Sequence, residues 1–211
     1  MIVAVVHTKG GVGKTTTALS LAVGQALAGR DVLAIDADRQ GTLVQAIVQR
    51  ERKPAVAVAH YNEGQILRQQ VTLARGKYED IIIDAGGRDS TAARAALLLA
   101  DLVLIPFLPR SFDVWAWDDI AHLLAEARAV KDVDARALLM MADPTGRDNA
   151  AALDSLPEGM DMLRLDGKPI RIGRRKAIAD AAGRGRSILE EAGRDPAAAM
   201  EVRRLLEAVF G

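Results

Sequence analysis

Short unbroken apolar runs alternate with amphipathic stretches along most of this chain. Ile2-Val3-Ala4-Val5-Val6 has no polar position, which predicts a strand buried on both faces, as in a parallel sheet. Residues 17–28, with Leu19, Leu21, Val23 and Leu27 among small residues and Gly29 behind them, predict a helix with a glycine stop. The alternation continues with strands predicted at 31–36, 55–58, 78–84, 102–106 and 137–141. Helices are predicted at 42–49, 63–74, 90–100, 114–129 and 196–210. Ser111 or Asp113 is the expected cap of the helix at 114, whose Trp117, Ile120, Leu124 and Ala127 share one face and read as packing or interface residues. In the last helix Val202, Leu205, Leu206, Val209 and Phe210 form an apolar stripe, the pattern of a helix packed on a core. The expected fold class is α/β: a single domain over 1–211, doubly wound around a mostly parallel sheet with helices on both faces.

Composition narrows this further. Half of the 211 residues are hydrophobic but only 3% are aromatic, so the core must rest on Ala, Leu, Val and Ile. There is no cysteine, which excludes disulfides and thiolate metal sites and is compatible with a reducing cytosol. The first residues lack a basic segment followed by a long apolar one, and no run of 18 apolar residues occurs, so a soluble cytoplasmic protein is expected. Net charge is zero, yet residues 164–186 hold eight Lys or Arg against Asp166 and Asp180. A near-neutral average therefore hides a basic stretch.

The candidate chemistry sits where strands end. After the first strand comes His7-Thr8-Lys9-Gly10-Gly11-Val12-Gly13-Lys14-Thr15-Thr16, a glycine loop that opens a helix with Lys-Thr. Glycines let the backbone wrap round a polyphosphate, and successive N–H groups with the helix N-terminus supply positive field. The lysine then reaches the outer phosphates and the threonine hydroxyl takes Mg²⁺. The general phosphate-loop pattern would put its first glycine at Thr8, whereas this chain instead carries a second lysine, Lys9. The strand at 31–36 ends in Asp36-Ala37-Asp38-Arg39-Gln40-Gly41, where two carboxylates two residues apart can face one spot. Such a pair suits holding Mg²⁺ through water or orienting the attacking water. Ile81-Ile82-Ile83-Asp84 then delivers a third carboxylate from a central strand, near Thr15 and the metal.

Lys9-Gly10-Gly11-Val12-Gly13-Lys14-Thr15-Thr16 resembles the deviant Walker A motif of the ParA/MinD family of ATPases, and the resemblance extends over most of the chain. It implies a P-loop fold that binds ATP and Mg²⁺ and pairs face to face, with Lys9 crossing to the partner's nucleotide. By the same resemblance Gly10, Gly11, Val12, Gly13, Lys14, Thr15 and Thr16 cradle the nucleotide, Lys14 serves the β and γ phosphates, and Thr15, Asp84 and Asp36 serve the metal. Asp38, with Asp36, orients water. The family's usual D-x-D-P-Q has Arg39 in place of proline here, which questions the stiffness of that turn. The missing cysteines argue against the iron–sulfur branches, and no N-K-x-D guanine-reading segment occurs, so ATP is expected. The loop at 142–147 lies near where relatives hold the base, with its base contacts unassigned.

The chain looks most like a short partition ATPase. That implies ATP-dependent, sequence-independent DNA binding, a nucleoid-associated location and release when a centromere-binding adaptor stimulates hydrolysis. Arg171, Arg174, Arg175, Lys176, Arg184 and Arg186 are the expected DNA contacts, on charge and on the glycines interspersed among them. Other activities on the same fold are a membrane-associated positioning ATPase, an ATP-dependent synthetase and a non-hydrolysing switch. Glu201 and Glu207 and the scarcity of lysine on the last helix weigh against a membrane surface.

Overall fold

The computed structural model describes residues 1–87, 90–109, 114–143 and 147–211, with the backbone alone at 114–116, 147 and 148. The first apolar run forms β1 (Ile2–His7), and the following elements are α1 (Lys14–Leu27), β2 (Val32–Asp36), α2 (Thr42–Gln49), β3 (Ala57–His60) and α3 (Gly64–Ala74). Then come β4 (Asp80–Gly86), α4 (Thr91–Leu99), β5 (Leu102–Phe107), α5 (Val114–Arg128) and β6 (Ala135–Ala142). Each lies where hydrophobic periodicity predicts it, within a few residues. The helix after the glycine loop begins at Lys14 rather than 17, and β3 starts two residues late because Ala55 and Val56 stay outside the ladder. The expected cap at Ser111 or Asp113 lies outside the described residues.

The C-terminal third differs more. It holds α6 (Arg147–Asp154), β7 (Asp161–Met162), β8 (Arg164–Leu165), β9 (Lys168–Pro169), β10 (Arg171–Gly173), α7 (Lys176–Ala182), a 3-10 turn (Ile188–Glu191) and α8 (Pro196–Phe210). The strands β7 to β10 span only two or three residues each, too few for periodicity to declare them. One local signal was available: Asp166-Gly167, which turns the β8–β9 hairpin with φ of 49° and 74° at its two central residues.

All pairings in the eight-stranded sheet are parallel, in the order β10-β6-β5-β1-β4-β2-β3 with β7 beside β6. Parallel pairing needs crossovers, so both faces are covered. Leu67, Val71, Leu97, Ile120 and Leu124 of α3 to α5 pack on one face, and Leu19, Leu21, Leu43, Ile178, Val202 and Leu205 on the other. The chain leaves β1 in one direction and returns on its other side at β5, which makes the carboxyl end of β1 a topological switch point. Register brings Asp36 opposite Asp84, Asp84 opposite Val5, and Gly86 opposite His7. Three strand ends with chemical side chains therefore open on one crevice.

Candidate nucleotide site

The loop between β1 and α1 is shaped by its own backbone. Buried His7 accepts the amide of Lys9 on Nδ1 at 2.9 Å, so its proton sits on Nε2, and its ring lies edge-on to Trp117 with centroids 6.5 Å apart. Gly13 takes a left-handed φ of 97° as the residue before α1, and no side chain caps that helix. The first-turn amides are thus left facing the crevice, where an anion can meet them. Lys14 is buried and folds back so that Nζ donates to the Lys9 carbonyl at 3.1 Å. Lys9 lies on the exposed lip of the loop, with Gly10 and Gly11. Val12 is buried, which pins the loop from below, while Thr16 is half-buried at the start of the helix.

Thr15 Oγ1 donates to Asp84 Oδ2 at 2.6 Å. The other oxygen, Oδ1, is buried and has no hydrogen-bond partner among the described residues. Burial, the largest cause, pushes the Asp84 carboxyl up to about 7; the Thr15 hydrogen bond opposes this, Asp36 repels, Lys14 attracts, and Asp38 repels. An orphaned buried oxygen is costly. A cation beside a threonine hydroxyl and this carboxylate would resolve it, so the donor set fits Mg²⁺, a hard ion that takes few protein oxygens and completes its shell with water and phosphate. Among the described residues no cluster of three or more His, Cys, Asp or Glu forms a metal site of the all-protein kind.

Asp36 is fully buried and its oxygens are largely engaged: Oδ2 accepts the amides of Leu43 at 2.7 Å and Val44 at 3.1 Å, and Oδ1 that of Asp38 at 3.1 Å. It ties the end of β2 to the first turn of α2. Burial raises its carboxyl above the usual range, against the lowering effect of these amides. This geometry gives Asp36 a positioning part and leaves Asp38 as the carboxylate facing the crevice. Asp38 Oδ1 accepts the Gln40 amide at 3.0 Å, and its backbone carbonyl accepts from Gly41 at 3.2 Å and from His60 Nε2 at 2.8 Å. The turn is therefore held without a proline at Arg39.

Two parts of the site were missed by sequence reasoning. A Cβ on Gly86 would stand 2.5 Å from Asp38 Oδ2 and 2.6 Å from Lys14 Cε, so this glycine admits both side chains to one point. The Gly86-Gly87 pair was the available signal. The second is a cleft of about 380 Å³ between Gly13 and Thr16 of the loop, Met140 and Met141 of β6, and Ile172 and Ile178 of the C-terminal segment. It is apolar, adjoins the phosphate cradle and is of a size to take a base and ribose. Residues 144–146 of the expected base loop lie outside the described residues, and the far wall of the cleft comes from the basic stretch.

That stretch is less basic in three dimensions than along the chain. Arg174, Arg175 and Lys176 line the apolar cleft. Arg175 pairs with Glu201 at 2.7 Å, Arg184 and Arg186 with Glu191 at 2.7 and 3.0 Å, and Lys176 with Asp180 at 3.6 Å. Acids from the 3-10 turn and α8 fold back on it, which narrows the expected set of DNA contacts. Arg171 and Arg174 form no ion pair among the described residues.

Residues 3–189 match the CobQ/CobB/MinD/ParA nucleotide binding domain. The chain is 26% identical over 211 residues to maintenance of carboxysome distribution protein A of Halothiobacillus neapolitanus, covering 98% of this chain and 95% of that protein. It is 32% identical over 201 residues to the protein of the same name from Gloeobacter kilaueensis, covering 92% and 86%. Against the chromosome-partitioning ATPase Soj of Thermus thermophilus it is 28% identical over 239 residues, covering 99% and 94%. Among solved structures, apo McdA of Cyanthece superposes with a TM-score of 0.78 at 16% identity, covering 99% of this chain and 98% of that one, a likeness of fold.

Proposed function

This chain belongs to the CobQ/CobB/MinD/ParA nucleotide-binding family and is an ATPase of it, and from that premise we propose that it positions a cargo by ATP-dependent, sequence-independent attachment to DNA. The observation that carries the nucleotide part is the convergence of Lys14, the Thr15–Asp84 pair and Asp38 at the switch-point end of the sheet. Bound Mg²⁺ would neutralise phosphate charge and draw the triphosphate against Thr15 and Asp84. The residues of the chain do the rest. Backbone N–H groups from Gly10 to Thr16 hold phosphate oxygens, and Lys14 leaves the Lys9 carbonyl for the β and γ groups. Asp38 orients the attacking water from a turn held by Asp36 and His60. Lys9, exposed on the lip, meets the nucleotide of a second copy as charge grows on the leaving oxygens. ATP in such an interface favours the dimer, and the dimer doubles the surface offered to DNA.

The cargo is reached through an adaptor protein that stimulates hydrolysis. A centromere-binding adaptor agrees with the similarity to Soj, and the names of the two carboxysome-distribution relatives favour a protein-bodied cargo as a second reading. A membrane-bound mode has less support: no helix among the described residues is long and apolar enough to cross a membrane, and Val202, Leu205 and Val209 of α8 are packed in the core. The test is retention of unrelated DNA duplexes with ATP, with ADP and without nucleotide, over a salt series. ATP-selective retention is expected; equal retention in all three states overturns the reading.

A further inference from the structure

Three cations that take no part in the ion-pairing of the C-terminal segment meet in one place. Lys168 of β9, Arg171 of β10 and Arg204 of α8 line a depression of about 350 Å³ with Pro169, Ile170 and Glu201. Lys168 and Arg171 are exposed and Arg204 is half-buried. None of the three forms an ion pair or a side-chain hydrogen bond among the described residues. Glu201, the one acid of the depression among the described residues, is already committed. Glu201 Oε2 accepts the Gly173 amide at 2.8 Å and Oε1 accepts Arg175 Nη2 at 2.7 Å, with Asp195 also 3.8 Å from Arg175.

We propose that Lys168, Arg171 and Arg204 hold the phosphodiester backbone of duplex DNA, and that Arg175 serves this site only by neutralising Glu201. The proposal rests on the DNA reading above and specifies where it acts. Guanidinium forks match phosphate oxygens, and an open depression that three elements supply with cations follows a backbone rather than enclosing a small anion. Among the described residues none that lines the depression is aromatic, so the site has no platform on which unpaired bases could stack; this favours the phosphates of a duplex over single strands. Val202, Leu205 and Val209 of the apolar stripe of α8 are buried, which leaves little to insert into a lipid surface. Without Arg175, the Glu201 carboxylate would be released toward the three cations and would compete with phosphate.

The experiment measures ATP-dependent retention of the full chain on an unrelated duplex across a salt series. Each phosphate contact removed lowers the log–log salt slope by roughly 0.9. Lys168→Ala, Arg171→Ala and Arg204→Ala together should therefore lower it by nearly three times that, with nucleotide titration unchanged. Arg184→Ala with Arg186→Ala, which removes as much charge in sequence but only paired charge, should leave the slope near the parent value. Arg175→Ala should weaken retention, and adding Glu201→Gln should restore it. Should the triple variant fail to fold, the single substitution Arg171→Gln must still lower the slope by about one contact and Arg171→Lys must keep it. A parent chain that never retains DNA sinks the DNA reading itself. A parent that does, with an unchanged triple variant, overturns this site alone. Loss of sedimentation with phosphatidylglycerol vesicles, with DNA retention intact, would make it a lipid-headgroup site and overturn the proposal.

Discussion

Asp84 carries the largest electrostatic consequence of any residue in the site. Its carboxyl titrates near 7 in the folded metal-free chain against 3.8 for the free group, so the folded chain binds that proton more tightly than the unfolded chain. Stability contributed by this group is complete below the unfolded value and is lost as pH rises through about 7. Asp84→Asn should remove that loss. Denaturant melts of metal-free protein between pH 4 and 8 should show the parent declining relative to the variant by on the order of a few kcal/mol, while Mg²⁺-dependent hydrolysis disappears in the variant. The two loop lysines should fail differently. Lys14→Ala loses the group folded over the loop and should abolish nucleotide binding in the monomer. Lys9→Ala, on the exposed lip, should bind nucleotide like the parent yet not dimerise, as light scattering with a slowly hydrolysed ATP analogue would show. Dimerisation of Lys9→Ala at the parent level would remove the in-trans role.

At the scale of elements, the turn from β2 to α2 holds Asp38, the residue proposed to orient the attacking water. Asp36 fixes both its ends, and His60, at the end of the neighbouring β3, holds its middle through the Asp38 carbonyl. A carbonyl only accepts, so His60 Nε2 carries the proton. Asp38→Ala should keep ATP affinity and slow hydrolysis, prolonging the dimer and with it DNA retention. His60→Ala removes one exposed hydrogen bond worth about 1 kcal/mol, which predicts a kcat lower by about fivefold with KM for ATP unchanged. His60→Gln, which keeps a donor, should recover most of it. A change in KM alone would place His60 in nucleotide binding instead. The D-x-D pair and the order of elements around it are legible from the sequence, because alternate strand residues share a face. The nested hydrogen bonds that replace the missing proline are not legible, since His60 comes 22 residues after Asp38 and meets it only through sheet pairing.

Across the whole molecule, α2 is clasped to the C-terminal segment. Arg50 and Glu190 form an ion pair 2.9 Å long with side chains 1% and 3% exposed, and Arg50 also donates to the carbonyls of Arg52 and Pro54. Gly185, at φ 68°, lies so close that a Cβ would meet the Ala46 carbonyl oxygen at 1.9 Å. Arg50→Met would strand a buried carboxylate and should cost about 3–5 kcal/mol in a denaturant melt, with Arg50→Met and Glu190→Leu together costing much less. Local pattern was enough to place the strands from β1 to β6, the glycine loop before α1, and Asp38 and Asp84 near strand ends, because strand burial and turn chemistry depend on near neighbours in the chain. Tertiary structure alone decided which arginines are ion-paired among the described residues, that Asp36 serves the turn, and that residues 172–179 wall the apolar cleft. Glu201 and Met140 reach those places from elements far along the chain, and charge pairing and close packing depend on distance in space, which residue spacing along the chain does not record.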